Sequence, residues 1–573
     1  MEAAATNNAA LAALVAAASA AAKDAAVAAS AAALNAKEAA ATASAAALSA
    51  KEAAATSAAA SLDAKDAAAL AVAAGKVVAA AVAAMQASKK RKFHLIEDHP
   101  SGNGDFFIDN QDDPPGNVDL ISCLPDAVLG TIVSLLPTKD GVRTQAISRR
   151  WRPIWRSAPL NLADGCDLYR KGARTSDLVP MILSQHPGPA HRFSICIYDN
   201  YHDEVGAWLT SQALDNLQEL ELTYSRGWLH RERPVYLLPP SAFRFAPTLR
   251  VAKLSGCHLP DSIVQLSLKF PFLKQLSLVQ VSSSEDVFQT IFSGCPALES
   301  LVLINNFGMA RLCISSAQTI KSIGFCSDRR NKGVFLQELV VEDAPCLERL
   351  LPLNPTNGPP IIRIISAPKL KILGMLSGDI AQLQLGTNVF QKMIAVGLTT
   401  EIHTVRILVL CSAHLNLDTV LNFLKCFPFL EKLYFNFQPG MGMDTVQMHD
   451  PLEPIECLEL HLKQVVLKNY DGTITSCIDF TKFFVLNAKV LKEMKITLAY
   501  HRQHKWFAKQ RSLLQIKNRA SRDAQIELKC GTSVFVARSS DTHDLSMADP
   551  FDVPSSACSK CTELMRKKSL LLR

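Results

Sequence analysis

The sequence lacks any run of about 20 strongly apolar residues, so we expect no membrane-spanning helix. The residues after Met1 lack the cationic start of a secretory signal peptide, and recurring acidic residues argue against an organelle transit peptide. A net charge of +7 over 573 residues is too small for a dedicated nucleic-acid binder. These absences predict a chain that binds neither membrane nor nucleic acid directly.

Motifs of the common enzyme classes are also missing. The sequence has no Walker loop, dinucleotide fingerprint, nucleophile elbow or kinase signature, and its 14 histidines show no H-E-x-x-H arrangement. One Cys-x-x-Cys pair, Cys558 and Cys561, has no second pair, and Cys530 and His543 would complete four ligands only across irregular spans. We therefore expect no catalytic residue, no metal site and no cofactor.

The 15 cysteines are scattered singly through apolar runs, as Cys257, Cys295, Cys346 and Cys426 illustrate. This distribution is typical of reduced thiols in an intracellular protein and does not indicate a disulfide framework. At roughly 150 residues per domain, the length predicts three or four domains.

Residues 1–92 are predicted to be a low-complexity extension that ends in a basic cluster. More than half of residues 1–88 are alanine, and charged pairs that begin at Lys23, Lys37 and Lys51 recur with a period of 14 residues. Alanine favours helix, but charge and leucine share one face, so no apolar seam forms. We expect a solvated extension, either helical or disordered.

The basic cluster consists of Lys89, Lys90, Arg91 and Lys92, followed by a linker at 93–117. Short basic clusters act as nuclear import signals or are simply solvated charge, and both interpretations stay open. The expected location is the nucleus, the cytoplasm or both.

Residues 118–162 have the pattern of three short helices. A proline after Leu124 suits a first helical turn, Pro137 ends that helix, and Trp151 lies in the third one. Three such helices are too small to bury a good core alone. This indicates that a partner covers part of their apolar surface.

This region resembles the F-box of plant F-box proteins, in the run Leu-Pro-Asp-Ala-Val-Leu-Gly-Thr-Ile-Val-Ser-Leu-Leu-Pro-Thr-Lys-Asp-Gly-Val-Arg-Thr (124–144) and in Ser-Arg-Arg-Trp-Arg-Pro-Ile-Trp (148–155). The resemblance implies docking on a Skp-type adaptor that a cullin scaffold holds in turn. The positions that match the apolar contact pattern of the family are Leu124, Pro125, Leu129, Ile132, Leu135, Leu136, Val142 and Trp151. Alternatively, several of them pack the three helices against each other.

An internal repeat follows a connector at 163–205. Pro271 precedes leucines at 273, 276 and 278, and Pro296, Pro368 and Pro428 lead leucine-class residues at the same offsets. Steps of mostly 22–27 residues are in the range of leucine-rich repeats. The spacing predicts a solenoid over 206–450, in which each triplet places a short strand with alternate side chains in one core.

Some repeats lack the proline or break the period. The triplet Ile455, Leu458 and Leu460 fills one gap at the expected spacing. Residues 353–360 and 376–391 break the period and are predicted to be inserted loops.

Residues 451–528 resemble the FBD domain that follows the repeats in many plant F-box proteins, in runs at 454–458, 461–472 and 483–494. The pattern predicts a strand, a turn at Asp471-Gly472, an amphipathic helix and a strand, placed at the open end of the solenoid. We expect the remaining residues, 529–573, to form a loop-like C-terminal tail.

The predicted fold class is α/β: a small helical F-box, then a leucine-rich-repeat solenoid with an α+β FBD cap, preceded by the Ala-rich extension. The resemblance implies a non-catalytic substrate-recognition subunit of a cullin-based, SCF-type ubiquitin ligase. Its repeats would hold a target protein that the sequence does not identify. The alternative is a leucine-rich-repeat binding or receptor protein that acts outside any ligase, and an unrecognised enzymatic activity is a third hypothesis.

Overall fold

A computed structural model describes residues 124–136, 138–163, 175–186, 188–198, 202–224, 236–315, 317–327, 334–354, 358–397, 400–438, 443, 454–498, 504–530 and 539–552. The Ala-rich extension, the basic cluster at 89–92 and the linker at 93–117 lie outside these residues. Within the described ranges, no helix combines the length and the apolar character needed to cross a membrane.

The helices are short. The α-helices are α1 Asp126–Leu135, α2 Thr138–Thr144, α3 Trp151–Ser157, α4 Thr175–Gln185, α5 Val205–Trp208, α6 Glu285–Ser293, α7 Leu417–Leu424, α8 Thr475–Asn487, α9 His504–Leu513 and α10 Ser539–His543. A π-helix spans Cys457–His461, and 3-10 helices span His202–Glu204, Gln212–Leu214, Pro240–Phe245, Asp261–Leu266 and Ile516–Asn518.

Most strands have four to six residues. They are β1 Leu160–Ala163, β2 Ala190–Ile197, β3 Glu219–Tyr224, β4 Tyr236–Leu237, β5 Val251–Ser255, β6 Cys257–His258, β7 Gln275–Val279, β8 Ser300–Ile304, β9 Arg311–Ile314, β10 Ser322–Cys326, β11 Glu338–Val341, β12 Arg349–Pro352, β13 Ile361–Ile364, β14 Ile372–Leu376, β15 Gln382–Leu385, β16 Asn388–Gln391, β17 Ile394–Ala395, β18 Ile407–Cys411, β19 Lys432–Asn436, β20 Gln464–Tyr470, β21 Glu493–Leu498 and β22 Gln525–Cys530.

One parallel sheet of 14 strands organises the chain, in the order β1-β2-β3-β5-β7-β8-β10-β12-β14-β18-β19-β20-β21-β22. The middle leucine of each predicted triplet pairs with the same position of the next strand: Leu276 lies opposite Leu301, and Leu301 lies opposite Ile323. Because strand side chains alternate between faces, this register sends the leucines of every repeat to the same side. The predicted repeat architecture is therefore the architecture of the structure.

The face that carries these leucines is buried in one continuous core, and we call it the core face. Leu273, Leu276 and Leu278 are at most 3 % exposed, and the equivalent residues of neighbouring repeats are buried in the same way. Helix α6 before the middle repeats and helix α7 after them also contribute buried side chains to this core. Each repeat thus closes the core of the preceding one.

The middle repeats each contain a second strand instead of a helix. Strands β9, β11, β13 and β15 form a second parallel sheet, which β16 and β17 extend in antiparallel orientation. The prediction of an inserted loop at 376–391 is therefore wrong, because this range contains β15 and its hairpin partner β16. The other predicted loop, 353–360, connects β12 to β13, and residues 355–357 lie outside the described part.

The triplet Ile455, Leu458 and Leu460 is not a repeat strand. Leu458 and Leu460 belong to the π-helix, and Leu460 is 60 % exposed. The strand is β20, where Val465 pairs with Leu433 in the register of the repeats. A helical turn can place apolar residues at the same offsets as the repeat, which explains the error.

Strands of the same sheet lie on both sides of the predicted solenoid. Strands β1 and β2 precede residue 206, so the predicted connector contains part of the sheet. The predicted strand, turn, helix and strand of the FBD region are present as β20, residues 471–472, α8 and β21. These elements continue the sheet to its last strand, β22, and so lie at its end.

Substituting a core-face leucine tests the register. Leu301→Ala, at a position with no exposed area, should cost about 2–5 kcal/mol, the usual range for a truncated buried leucine. Leu460→Ala, at the exposed π-helix position, should change stability by less than about 0.5 kcal/mol. Denaturant unfolding followed by circular dichroism measures both, and equal effects would contradict the register.

Candidate functional site

Helices α1, α2 and α3 pack around a small apolar core of their own. Leu129, Val133, Trp151 and Ile154 are buried there, and Trp155 packs on the edge. This cluster is separate from the core of the sheet. The three helices therefore form a distinct unit with its own outer surface.

The predicted adaptor-binding residues differ in their burial. Leu129 and Trp151 are buried between the helices, at 0 % and 7 % exposure, so they hold the unit together. Pro125 and Val142 are exposed, and Val142 reaches 40 %. Leu124, Ile132 and Leu136 are half-buried, and the side chain of Leu135 lies outside the described part. Binding of an adaptor by these residues stays a prediction.

Two further apolar side chains join the exposed group. Val128 is 41 % exposed and Ile147 is 49 % exposed. Pro125, Val128 and Ile132 follow i, i+3, i+7 spacing, so they share one side of α1. Val128 and Ile147 were not predicted as site residues. Together these residues give the helical unit apolar surface that the rest of the described chain leaves uncovered.

Polar contacts fix the unit to the first strands of the sheet. Thr138 Oγ1 donates to the backbone oxygen of Asn161 in β1 at 2.8 Å. A ring nitrogen of His186 lies 3.0 Å from the backbone oxygen of Trp155. Because these contacts are part-buried, the helices are held against the start of the sheet and are not free on a linker.

The second candidate surface is the face of the large sheet opposite the core face. We call it the docking face. Its centre is apolar and includes Val302, Leu351, Val409, Tyr434 and Val466, which are at most 5 % exposed. Charged residues lie on the outer strands, such as Lys253 on β5 and Lys495 on β21. An apolar centre with charged margins is the usual anatomy of a protein-binding surface.

Residues 539–552 cover the centre of the docking face, and we call them the covering segment. The segment starts with helix α10, whose His543 lies between two strands. Its Nε2 is 3.0 Å from Ser277 Oγ and its Nδ1 is 2.6 Å from Ser300 Oγ. Burial, aided by the charge of Lys253, lowers the pKa of His543 to about 4, so the ring is neutral at pH 7.

Arg349 of β12 binds the backbone in the middle of the segment. Its guanidinium donates to the backbone oxygens of Asp544, Leu545 and Met547, at 2.8 Å and 3.1 Å for the first two. Arg349 is 6 % exposed. These bonds fix the backbone of the segment where it bends, and they involve none of its side chains.

The end of the segment is held by an acidic and an aromatic side chain. Asp549 Oδ2 accepts hydrogen bonds from Lys432 Nζ at 2.6 Å and from the Tyr434 hydroxyl at 2.8 Å. Phe551 is 3 % exposed and packs on the Tyr434 ring with centroids 5.8 Å apart. Burial and the Asp549 carboxylate both raise the pKa of Tyr434, which keeps its hydroxyl protonated as a donor.

Two strand glycines make room for the segment. A Cβ at Gly324 would lie 2.5 Å from Thr542 Oγ1, and a Cβ at Gly374 would lie 2.5 Å from the Phe551 ring. Glycine weakens a strand and often marks a place where another chain segment approaches closely. Gly324 and Gly374 both interrupt the apolar sequence of a strand, and this was the sign of the contact that the sequence contained.

A cavity of about 250 Å³ lies beside Phe551 at the far end of the docking face. Lys468, Lys495 and Lys529 line it, together with Glu527 and Asp552. Burial lowers the pKa of Lys468, partly offset by Asp552. Lys495 pairs with Glu493 at 3.0 Å and Lys529 pairs with Glu527 at 2.7 Å, so the cavity is lined by paired charges.

His543, which the sequence offered as a fourth metal ligand, instead contacts Ser277 and Ser300 as part of the covering segment. Among the described residues, no group of three or more His, Cys, Asp or Glu side chains is arranged to hold a metal. Cys558 and Cys561 lie outside the described part. Among the described cysteines, Cys257, Cys295 and Cys426 are buried.

Comparison with known proteins matches two regions of the chain to family models. Residues 205–435 match the leucine-rich repeats of the family described as FBD-associated F-box protein At5g56370, and residues 450–496 match the FBD family. Proteins similar to the chain include F-box/FBD/LRR-repeat proteins. The chain therefore has leucine-rich repeats and an FBD region similar to those of F-box/FBD/LRR-repeat proteins.

Members of the F-box/FBD/LRR-repeat family from Arabidopsis thaliana show the extent of the likeness. The F-box/FBD/LRR-repeat protein At5g22610 is 26 % identical over 438 residues, which cover 66 % of this chain and 84 % of the relative. The FBD-associated F-box protein At4g13985 is 29 % identical over 254 residues, 41 % of this chain and 52 % of the relative. In several other matches the chain spans about half the length of the relative.

Acid should weaken the docking of the covering segment. The unfolded imidazole titrates near 6.5 and the buried one near 4, so the unfolded state binds more protons between these values. Docking should therefore weaken as pH falls below 6.5, by about 2 kcal/mol at pH 5. Hydrogen exchange of residues 539–544, corrected for intrinsic rates, measures this, and His543→Asn should remove the pH dependence. Equal protection of the wild type at pH 7 and pH 5 would contradict it.

Proposed function

We propose that this chain is the substrate-recognition subunit of an SCF-type ubiquitin ligase. Its F-box helices α1–α3 bind a Skp-type adaptor, which a cullin scaffold holds, and the docking face of its sheet binds a target protein. The similarity of the chain to F-box/FBD/LRR-repeat proteins supports this role. The proposal includes no direct contact with nucleic acid or membrane.

The exposed apolar surface of the helical unit is the observation that carries the proposal. Val128 and Val142 expose about two fifths of their side chains, although the unit has a closed core of its own. Surface of this kind on a small unit marks a binding site for another protein. The unit is anchored to one edge of the sheet, so a bound adaptor would have a fixed position relative to the docking face.

The proposed role requires no bond chemistry from this chain. A subunit that holds a target near a separate ubiquitin-charged enzyme raises the effective concentration of target lysines there. The described residues fit this role, because the buried polar groups of the docking face contact the covering segment. We therefore propose that the chain is non-catalytic and takes no cofactor.

We further propose that the chain acts in the nucleus, the cytoplasm or both. The basic cluster at 89–92 supports import, and alanine substitution of these four residues in a fluorescently tagged full chain tests it. Loss of nuclear signal would support import, and unchanged distribution would remove the role of the cluster.

Adaptor binding should depend on exposed valines of the F-box helices. Val128→Ser with Val142→Ser should weaken co-isolation of a Skp-type adaptor at least tenfold, because both side chains would leave an apolar interface. The melting temperature should stay within a few degrees, since neither residue is buried. Val264→Ser with Val334→Ser is the matched control, at 44 % and 56 % exposure elsewhere in the chain.

Unchanged adaptor binding by the Val128 and Val142 variant would refute the docking role. The same variant separates the alternative of a receptor that acts outside a ligase. A target that accumulates when the chain is removed should fall again with the wild type but not with this variant. Full rescue by the variant would favour the alternative.

A further inference from the structure

The covering segment has contacts of the kind that a bound ligand makes. Its side chains meet the docking face at three main points: His543 between two serines, Asp549 at Lys432, and Phe551 over Gly374. Arg349 binds only backbone oxygens between these points. Sequence-specific recognition is therefore concentrated in a few side chains, as in peptide complexes.

The segment can leave without breaking the sheet. The backbone-to-backbone hydrogen bonds of the segment in the described chain join its own residues, such as Asp544 to Ser540 and Met547 to Asp544, while the sheet reaches its backbone only through side chains such as Arg349. The core face has its own apolar cluster, separate from the cluster that contains Phe551. Removing the segment would uncover an apolar surface across at least five strands, which is the surface that a partner protein would need.

The strongest recognition lies at the end of the segment. Asp549 is held by a cation and a hydroxyl at once, and its side chain is 13 % exposed. Phe551 fills the space above Gly374, two residues later. The lysine-lined cavity continues from Phe551. This geometry selects an acidic residue followed two positions later by an aromatic one.

We infer that residues 539–552 are an intramolecular ligand of the docking face, and that the target protein binds there through an acidic-x-aromatic segment that displaces them. This inference rests on the target-recognition role proposed above. The partner is a segment with an acid at the place of Asp549 and an aromatic ring at the place of Phe551. A tethered segment has a high effective concentration, so the target competes against it.

A labelled peptide tests the inference directly. The probe is a fluorescein-labelled peptide with the sequence of residues 539–552, added to the full chain and followed by fluorescence anisotropy. The segment-side variant, Asp549→Asn with Phe551→Ala, should bind the peptide at least tenfold more tightly than the wild type, because the internal competitor is weakened. Ala548→Ser, at an exposed position between the anchors, is the matched control and should behave as the wild type.

A sheet-side variant separates release of the segment from loss of the site. Gly324→Ala with Gly374→Ala would also expel the segment, but the new Cβ atoms occupy the places of Thr542 and the Phe551 ring. This variant should bind the peptide no better than the wild type. An unlabelled peptide with Asn and Ala at the two anchor positions should compete at least tenfold less well than the natural sequence.

The inference is overturned if the folded segment-side variant does not bind the peptide, since the segment would then be a fixed cover. If that variant does not fold, a protease site within 531–538 replaces it. Cleavage there breaks the covalent link between β22 and the covering segment without changing the sequence of the segment. Peptide binding should then rise at least tenfold. Equal binding before and after cleavage would overturn the inference. The assay contains no adaptor, so loss of adaptor binding with intact peptide exchange would refute only the proposed function.

Discussion

The rest of the structure depends on one packing constraint, the alignment of an apolar side chain at the centre of each strand of the large parallel sheet. Leu276, Leu301 and Ile323 lie in register, and the same position continues to Met494 at the far end. Since strand side chains alternate, the register that builds the core face also aligns the residues between the leucines. The docking face is therefore a consequence of the same repeat that stabilises the protein.

The apolar centre of the docking face is suited to binding another protein. The same apolar surface would be exposed to water if no other part of the chain covered it. The covering segment resolves this conflict by burying Phe551 against Tyr434 and by pairing Asp549 with Lys432. Helices α1–α3 are fixed at the opposite edge from the lysine-lined cavity, so the surfaces proposed for adaptor and target occupy different strands.

The local period of the sequence predicted the repeat strands and their core residues. Contacts between residues far apart in the sequence, such as those of the covering segment, were not predicted. The positions equivalent to Leu276 were predictable because proline and leucine recur at fixed offsets. Leu460 was placed wrongly, since a helical turn imitates those offsets, and the true strand residue is Val465. The covering segment has no apolar period, so its docking was invisible. A glycine within a strand, such as Gly374, was the available sign of close approach.

Hydroxyl-radical footprinting of the full chain tests the central claim most directly, because it reports the solvent exposure of individual aromatic rings. We expect Phe551 and Tyr434, at 3 % and 1 % exposure, to be protected from oxidation, while Phe272, at 57 % exposure, is oxidised readily. Gly374→Ala should make Phe551 and Tyr434 reactive and leave Phe272 unchanged. Oxidation of Phe551 in the wild type at the rate of Phe272 would contradict the account.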